Sequence, residues 1–315
     1  MNMRKVLVMM VALLVAISFV AFAGGRQEAA GGEASQLSGS VKIAGSSTVY
    51  PVSTAIAEEF SKIHPDVEVP VQSTGTGGGF KNFFSQGKTD INNASRTIKD
   101  GEVEMCKENG ITPVQLQVAT DAITIVVNPE ADWVDDISVE ELAQIWRPEN
   151  PAQKWSDVRS DWPDEEIELY GPTAASGTFD YFTEEIIGEG GASRDDYQKT
   201  EQDNTIVQAV SGSEYAMGYF GMAYYLENKS KVKALAVNGV KPSIETAKSG
   251  EYTPLSRPLF IYVAQESVQE KPQVRAFVEF YLEQIDTDLI KQVGYVPMTT
   301  ADKNAMLEKF NEMVE

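Results

Sequence analysis

Three segments of the chain set hydroxyl side chains beside glycine where a short apolar run gives way to a helical pattern. The first is Ala44-Gly45-Ser46-Ser47-Thr48-Val49-Tyr50-Pro51, after which Val52, Ile56, Phe60 and Ile63 recur at helical spacing. Pro51 suits a first helical turn, where its missing N–H costs nothing. The second is Gln72-Ser73-Thr74-Gly75-Thr76-Gly77-Gly78-Gly79-Phe80, with Phe83 and Phe84 next on the same face. Its glycines let the backbone turn sharply and bring amides close to a ligand. The third is Gly171-Pro172-Thr173-Ala174-Ala175-Ser176-Gly177-Thr178-Phe179, opening a helix with Phe179, Phe182 and Ile186 inward. Any one of these alone reads as ordinary helix capping. Three in one chain point to the other use of a helix start, the binding of an oxyanion by amides and hydroxyls. Each helix field contributes roughly 0.3–1 kcal/mol, and each hydrogen bond to a charged ligand about 1.5–3 kcal/mol. The candidates are Ser47 and Thr48, Thr76 and Gly77, and Ser176, Gly177 and Thr178. No segment ends in Gly-Lys-Ser/Thr, so a nucleotide is not implied.

Two charged residues accompany them. Arg96 closes the run Asp90-Ile91-Asn92-Asn93-Ala94-Ser95-Arg96, and its forked donors match a tetrahedral oxyanion; a surface ion pair is its other reading. Asp121, in Ala119-Thr120-Asp121-Ala122, is either the matching carboxylate or a plain hydrogen-bonding group at a strand start.

A hydrolase is the competing class, and the residue inventory argues against it. The single histidine, His64, lies at the far end of the first helix, roughly 24 Å from Thr48 by helix rise, and cannot act as a base for Ser47. With one histidine and one cysteine, Cys106, a zinc site of the usual ligands is excluded. The acidic runs Asp132-Trp133-Val134-Asp135-Asp136 and Asp164-Glu165-Glu166 read as solvated loops rather than metal cages. Ser176-Gly177-Thr178 lacks the lysine of Ser-x-x-Lys enzymes. No catalytic residue, metal or cofactor is expected.

The elements that position these residues alternate. Strands are expected at 41–44, 67–71, 123–127, 167–170, 232–237 and 259–263. Helices are expected to begin near Pro51, Gly79, Val139, Thr178, Asn204, Pro272 and Ala301. That alternation is an α/β architecture with largely parallel sheets. Ahead of it, residues 1–23 carry Arg4 and Lys5, an apolar run from Val6 to Val20 broken by Ser18, and Ala21-Phe22-Ala23. They read as a secretory signal cleaved before Gly24. No cysteine lies near that point, so a lipid anchor is not expected, and the mature chain should be free in the periplasm. Residues 24–39 are rich in Gly, Ala, Ser and Glu and read as a flexible tether. The formal charge is −21, and loss of Arg4 and Lys5 makes it −23 (−21 − 2). No basic tract exists to neutralise a nucleic-acid backbone. The same charge does not forbid an anion site, because it is screened within about 8–10 Å.

The loops closely resemble those of the substrate-binding proteins of the phosphate-specific ABC transport system, within the type II periplasmic binding protein fold. The likeness is carried by residues 44–51, 75–81, 90–96, 176–178 and by Ala216-Met217-Gly218-Tyr219-Phe220-Gly221-Met222-Ala223-Tyr224-Tyr225. It implies two lobes with mixed, mainly parallel sheets and a two-stranded hinge: residues 40–120 plus 258–315 as one lobe and 121–257 as the other. It further implies inorganic phosphate between the lobes, delivery to two membrane subunits with their ATPase, and a monomeric carrier. Another tetrahedral oxyanion, or a phosphate-sensing role, is the alternative. Two positions depart from the family pattern. Family members carry an aspartate where this chain has Arg96, and an arginine four residues before Ser-Gly-Thr, where it has Pro172. The expectation is that Arg96 supplies the missing cation, with Asp121 as acceptor for the phosphate proton or for Arg96 itself.

Overall fold

A computed structural model describes residues 37–314 of the chain, apart from Ala175 and Glu201. The expected signal, and residues 24–36 of the expected tether, lie outside the described residues.

The described chain is a mixed α/β, two-lobed protein organised around one long strand, Pro113–Val127. From Val118 to Val127 every residue is buried, as in a strand covered on both faces. Residues 113–122 pair antiparallel with Ser256–Ala264, and residues 123–127 pair antiparallel with Ala216–Gly221. Beyond Ser256–Ala264 the sheet continues through Ile91–Ala94, Ile43–Gly45 and Val71–Ser73. Beyond Ala216–Gly221 it continues through Glu168–Gly171 and Gln198–Lys199. The outer ladders on both sides are parallel.

Two principal apolar cores flank the strand. One gathers Val41, Val52, Ile56, Phe60, Ile91, Leu116, Ile261, Phe277 and Phe310. The other gathers Ile123, Ile125, Leu142, Trp146, Trp155, Phe182, Tyr219 and Leu255. The chain passes between them along Pro113–Val127 and again along Ser256–Ala264. Thr120 and Val296 exchange a further pair of backbone hydrogen bonds there, at 3.0 and 2.9 Å.

The seven expected helices begin at Tyr50, Thr76, Val139, Gly177, Asp203, Pro272 and Thr300, each within three residues of the expected start, and Asp100–Glu108, Trp155–Val158, Met222–Asn228, Ile244–Ser249, Gln265–Glu270 and Asp288–Gln292 are helices not anticipated from the sequence. Strand limits differ more, for physical reasons. The run expected at 67–71 divides into Val67–Glu68 and Val71–Ser73, because Pro70 has no N–H for a ladder. The run expected at 232–237 becomes Lys233–Ala234 and Ala236–Val237, which pair with different strands. No described helix is long and apolar enough to cross a membrane.

One ion pair ties the two sides at the surface. Lys248, on Ile244–Ser249, lies 2.8 Å from Asp302, on Thr300–Val314. Lys248 first, then Thr299, hold the Asp302 carboxyl down to about 2. A depressed carboxylate stabilises the fold above its unfolded pKa and loses that contribution as pH falls through the folded value. The window is therefore from about 4 down to 2. Asp302 is 42% exposed, so solvent screening keeps the contribution below about 1 kcal/mol. Asp302→Asn is expected to flatten this part of the acid-unfolding curve, measured by thermal melts at pH 2, 4 and 7. Identical curves for variant and parent would refute it.

Candidate functional site

The first two hydroxyl segments are held side by side by backbone contacts that require glycine. Gly45 ends the strand Ile43–Gly45 at φ +133°, and a Cβ there would stand 2.2 Å from the Asn93 carbonyl oxygen. A Cβ at Gly79 would stand 2.1 Å from Asn92 Oδ1 and 2.7 Å from Gly45 Cα. The helix Thr76–Asn82 is thus seated directly on the end of the first strand. The Ser46 amide donates to Asn93 O at 2.8 Å, and the Thr74 amide to Gly45 O at 2.9 Å. Among the described residues, no acceptor bonds the amides of Ser47 or Thr48. They lie in the turn that the Tyr50 amide closes on Ser46 O at 3.1 Å, immediately ahead of the helix Tyr50–Ile63.

The third segment meets the first across the cleft. A Cβ at Gly177 would lie 3.7 Å from Thr48 Cα. Ser176 is the N-cap of Gly177–Ile187, its Oγ accepting from the Thr178 amide at 3.2 Å.

Beside this contact is a cavity of about 370 Å³, which Ser176, Gly177 and Thr178 do not line. Ser46, Ser47, Thr48, Gly75, Thr76 and Ser95 line one side; Asp180, Tyr181, Glu184 and Gly190 line the other. Ser95 takes part through Thr76, whose Oγ1 accepts from the Ser95 amide and lies 3.2 Å from Ser95 Oγ.

The cation on this cavity is Arg257, at the start of Ser256–Ala264. Its Nη2 donates to Thr48 Oγ1 at 3.0 Å, and its Nε to Asp121 Oδ2 at 3.2 Å. The guanidinium lies over the Tyr181 ring, 3.6 Å from the centroid, a cation–π contact. The Tyr181 hydroxyl donates in turn to Pro254 O at 2.6 Å. Arg257 therefore touches Thr48 on one side and Tyr181, in the body of the helix Gly177–Ile187, on the other.

Arg96 is placed differently. Its Nη1 and Nη2 donate to the two carboxylate oxygens of Glu102 at 2.9 and 2.8 Å, and Nη1 also donates to Thr97 O. Glu102 simultaneously accepts from the Lys99 amide at 2.9 Å, at the start of Asp100–Glu108. The hydrogen bond to Glu102 raises the Arg96 pKa against the opposing effect of burial. Arg96 lines an adjoining cavity that shares Thr76, Ser95, Glu184 and Arg257 with the one holding Ser47 and Thr48, and does not line the latter itself. Gly77 sits against this guanidinium, with a Cβ there 3.3 Å from Arg96 Nη2.

Asp121 lies beneath Arg257 as its register partner on the neighbouring strand and does not line the cavity. Burial pushes its carboxyl pKa up, and Arg257 opposes that shift. Sequence reasoning missed Arg257. The available signal was the antiparallel pairing of the two central strands, which brings residue 257 opposite residue 121.

Residues 30–284 match a family model described as the PBP superfamily domain. Protein SphX of Synechocystis sp. is 48% identical over 284 residues, covering 88% of this chain and 84% of SphX. The phosphate-binding protein PstS of Staphylococcus saprophyticus is 36% identical over 296 residues, covering 92% of this chain and 89% of PstS. The crystal structure of a possible phosphate binding protein from Planctomyces limnophilus superposes with a TM-score of 0.83 at 43% identity. That match covers 89% of this chain and all of that one (100%).

Proposed function

Since the chain belongs to the PBP superfamily, and within it to the family of PstS and SphX, we propose that it binds inorganic phosphate between its lobes and passes it to an ABC transporter. The observation that carries this is the convergence of Ser47, Thr48, Thr76 and Tyr181 on one cavity with Arg257 on its wall, while Gly177 abuts Thr48 beside it. Ser47, Thr48, Thr76 and the Ser176-Gly177-Thr178 turn supply hydroxyl and amide donors. Arg257 supplies the charge assigned to Arg96 on sequence grounds, and Asp121 orients it. Guanidinium forks suit tetrahedral oxyanions, and hydrogen bonds to a charged partner are the strong ones.

The lobes are residues 40–120 plus 258–315 and 121–257. Phosphate bound to one recruits donors from the other, so its higher affinity for the closed form drives closure. The chain works in the periplasm as a monomeric carrier without catalytic activity, and its closed form docks on the membrane subunits of the transporter.

Calorimetric titration of the purified protein tests this, with a phosphomonoester turnover assay on the same preparation. Phosphate should bind stoichiometrically and the ester should not turn over. Thr48→Val should weaken binding by about 10–150-fold, the equivalent of one charge-assisted hydrogen bond. Absence of phosphate binding at millimolar ligand would end the proposal, and unaltered affinity in Thr48→Val would remove that residue from the site.

A further inference from the structure

Thr48 is gripped at two of its atoms. Arg257 Nη2 donates to its Oγ1 at 3.0 Å, and the Tyr295 hydroxyl donates to its backbone carbonyl at 2.7 Å, across 247 residues of sequence. The two contacts mean different things to an anion. A hydroxyl that accepts from a guanidinium keeps its own proton to give to a ligand. A carbonyl facing an anion is a liability, because its oxygen is partly negative and only accepts. At Thr48 that oxygen is turned onto Tyr295, which does not line the cavity.

The backbone on either side fixes where Tyr295 stands. The helix Asp288–Gln292 ends in a Schellman turn, with the Gly294 amide donating to Lys291 O at 2.9 Å and the Tyr295 amide to Ile290 O at 3.1 Å. Gly294 takes the φ of +93° that this turn requires. The next residue, Val296, exchanges its two hydrogen bonds with Thr120, the neighbour of Asp121, and Asp121 is the register partner of Arg257. The Tyr295 side chain packs against the core that holds Val52 and Phe277. Burial first, then Asp121, push its hydroxyl pKa up, while Arg257 pulls it down, so the hydroxyl keeps its proton and remains a donor at neutral pH.

Resting on the phosphate reading above, we propose that Tyr295 is a positioning residue of the site, which holds the Thr48 carbonyl off the cavity and sets the turn 46–48 in place against Arg257. Tyr295 does not touch the ligand. It acts through Thr48, whose amide, like that of Ser47, has no acceptor among the described residues. Without the tyrosine hydroxyl the Thr48 carbonyl loses its partner, and the turn gains freedom to present an acceptor to an anion that needs donors.

The test is phosphate titration and thermal melting of the parent, Tyr295→Phe, Tyr262→Phe, Thr48→Val and the double variant Tyr295→Phe/Thr48→Val. Tyr262 is the control: its hydroxyl accepts from the Ile98 amide at 2.8 Å and donates to Gln115 Oε1 at 2.9 Å, partners that lie outside the turn 46–48. Tyr295→Phe should weaken phosphate binding about 3–10-fold, the equivalent of one neutral hydrogen bond. Tyr262→Phe should bind like the parent, however far its melting temperature falls. On the Thr48→Val background, Tyr295→Phe should cost less affinity than it does in the parent, because part of what Tyr295 holds in place is the Thr48 hydroxyl. Parent-like affinity in Tyr295→Phe overturns the inference, whatever its melting temperature; so does an equal loss in Tyr262→Phe, or a loss that is undiminished on the Thr48→Val background. Failure of the parent itself to bind phosphate would instead overturn the phosphate assignment.

Discussion

Arg257→Gln should lower phosphate affinity by about 10²–10⁴-fold. Two charge-assisted hydrogen bonds are lost, each worth about 1.5–3 kcal/mol, and 1.4 kcal/mol is a factor of ten. The same change affects the fold. The Arg257 and Asp121 side chains are 16% and 5% exposed, and leaving one member of a buried pair alone costs about 3–5 kcal/mol. A binding loss could therefore reflect partial unfolding, and the double variant Arg257→Gln/Asp121→Asn separates the two effects. It should recover most of the melting temperature while staying weak for phosphate. Arg257→Lys keeps the charge but not the fork, and should fall between. Arg96→Gln is the counterpart, expected to leave affinity within about threefold of the parent, since Glu102 already occupies that guanidinium. The assignment fails if Arg257→Gln titrates like the parent, or if Arg96→Gln loses more.

Gly45→Ala should destabilise the protein by at least about 3 kcal/mol, the range of backbone strain combined with a steric clash. Both conditions hold at this residue. Its φ of +133° is one that side-chain-bearing residues rarely adopt, and the added methyl would strike the Asn93 carbonyl oxygen at 2.2 Å and the Asn93 amide nitrogen at 2.7 Å. Neither obstacle is the end of a flexible side chain. Gly75→Ala is the comparison, with φ +72° and open space around its Cβ position. It should cost only about 1–3 kcal/mol, the backbone strain alone of a φ +72°, ψ +151° conformation that is essentially confined to glycine. Thermal unfolding of both variants gives the answer, and equal melting temperatures would contradict the distinction drawn between them.

What could be read from the sequence was local. Gly45, Pro51, the glycines at 77–79 and Ser176 announce helix starts within their own few residues, because caps and forced φ values are properties of short segments. Arg257 was out of reach by that means: its contact with Thr48 spans 209 residues and arises only when the hinge strands pair. Arg96 drew attention because it closes the run 90–96 and its forked donors match an oxyanion, yet its partner Glu102 is six residues downstream, at a helix start that needed an acidic cap. The strand Ala216–Gly221 has no polar alternation to mark it, since residues 216–220 are all buried in the middle of the sheet.

The placement of Arg257 on a strand that crosses between the two cores has a mechanical consequence. In any swing of two arms about a pivot, points near the axis travel least and points at the tips travel most. In the closure proposed above, the guanidinium would sit near the axis, while the hydroxyl and amide donors of residues 46–48 and 176–178 would ride on the arms. A captured anion would then meet its counter-charge at the same distance whatever the opening angle, and only the count of neutral donors would change. Affinity would be divided into a constant part set by the axle and a variable part set by the jaws, the latter alone reporting that the cleft has shut.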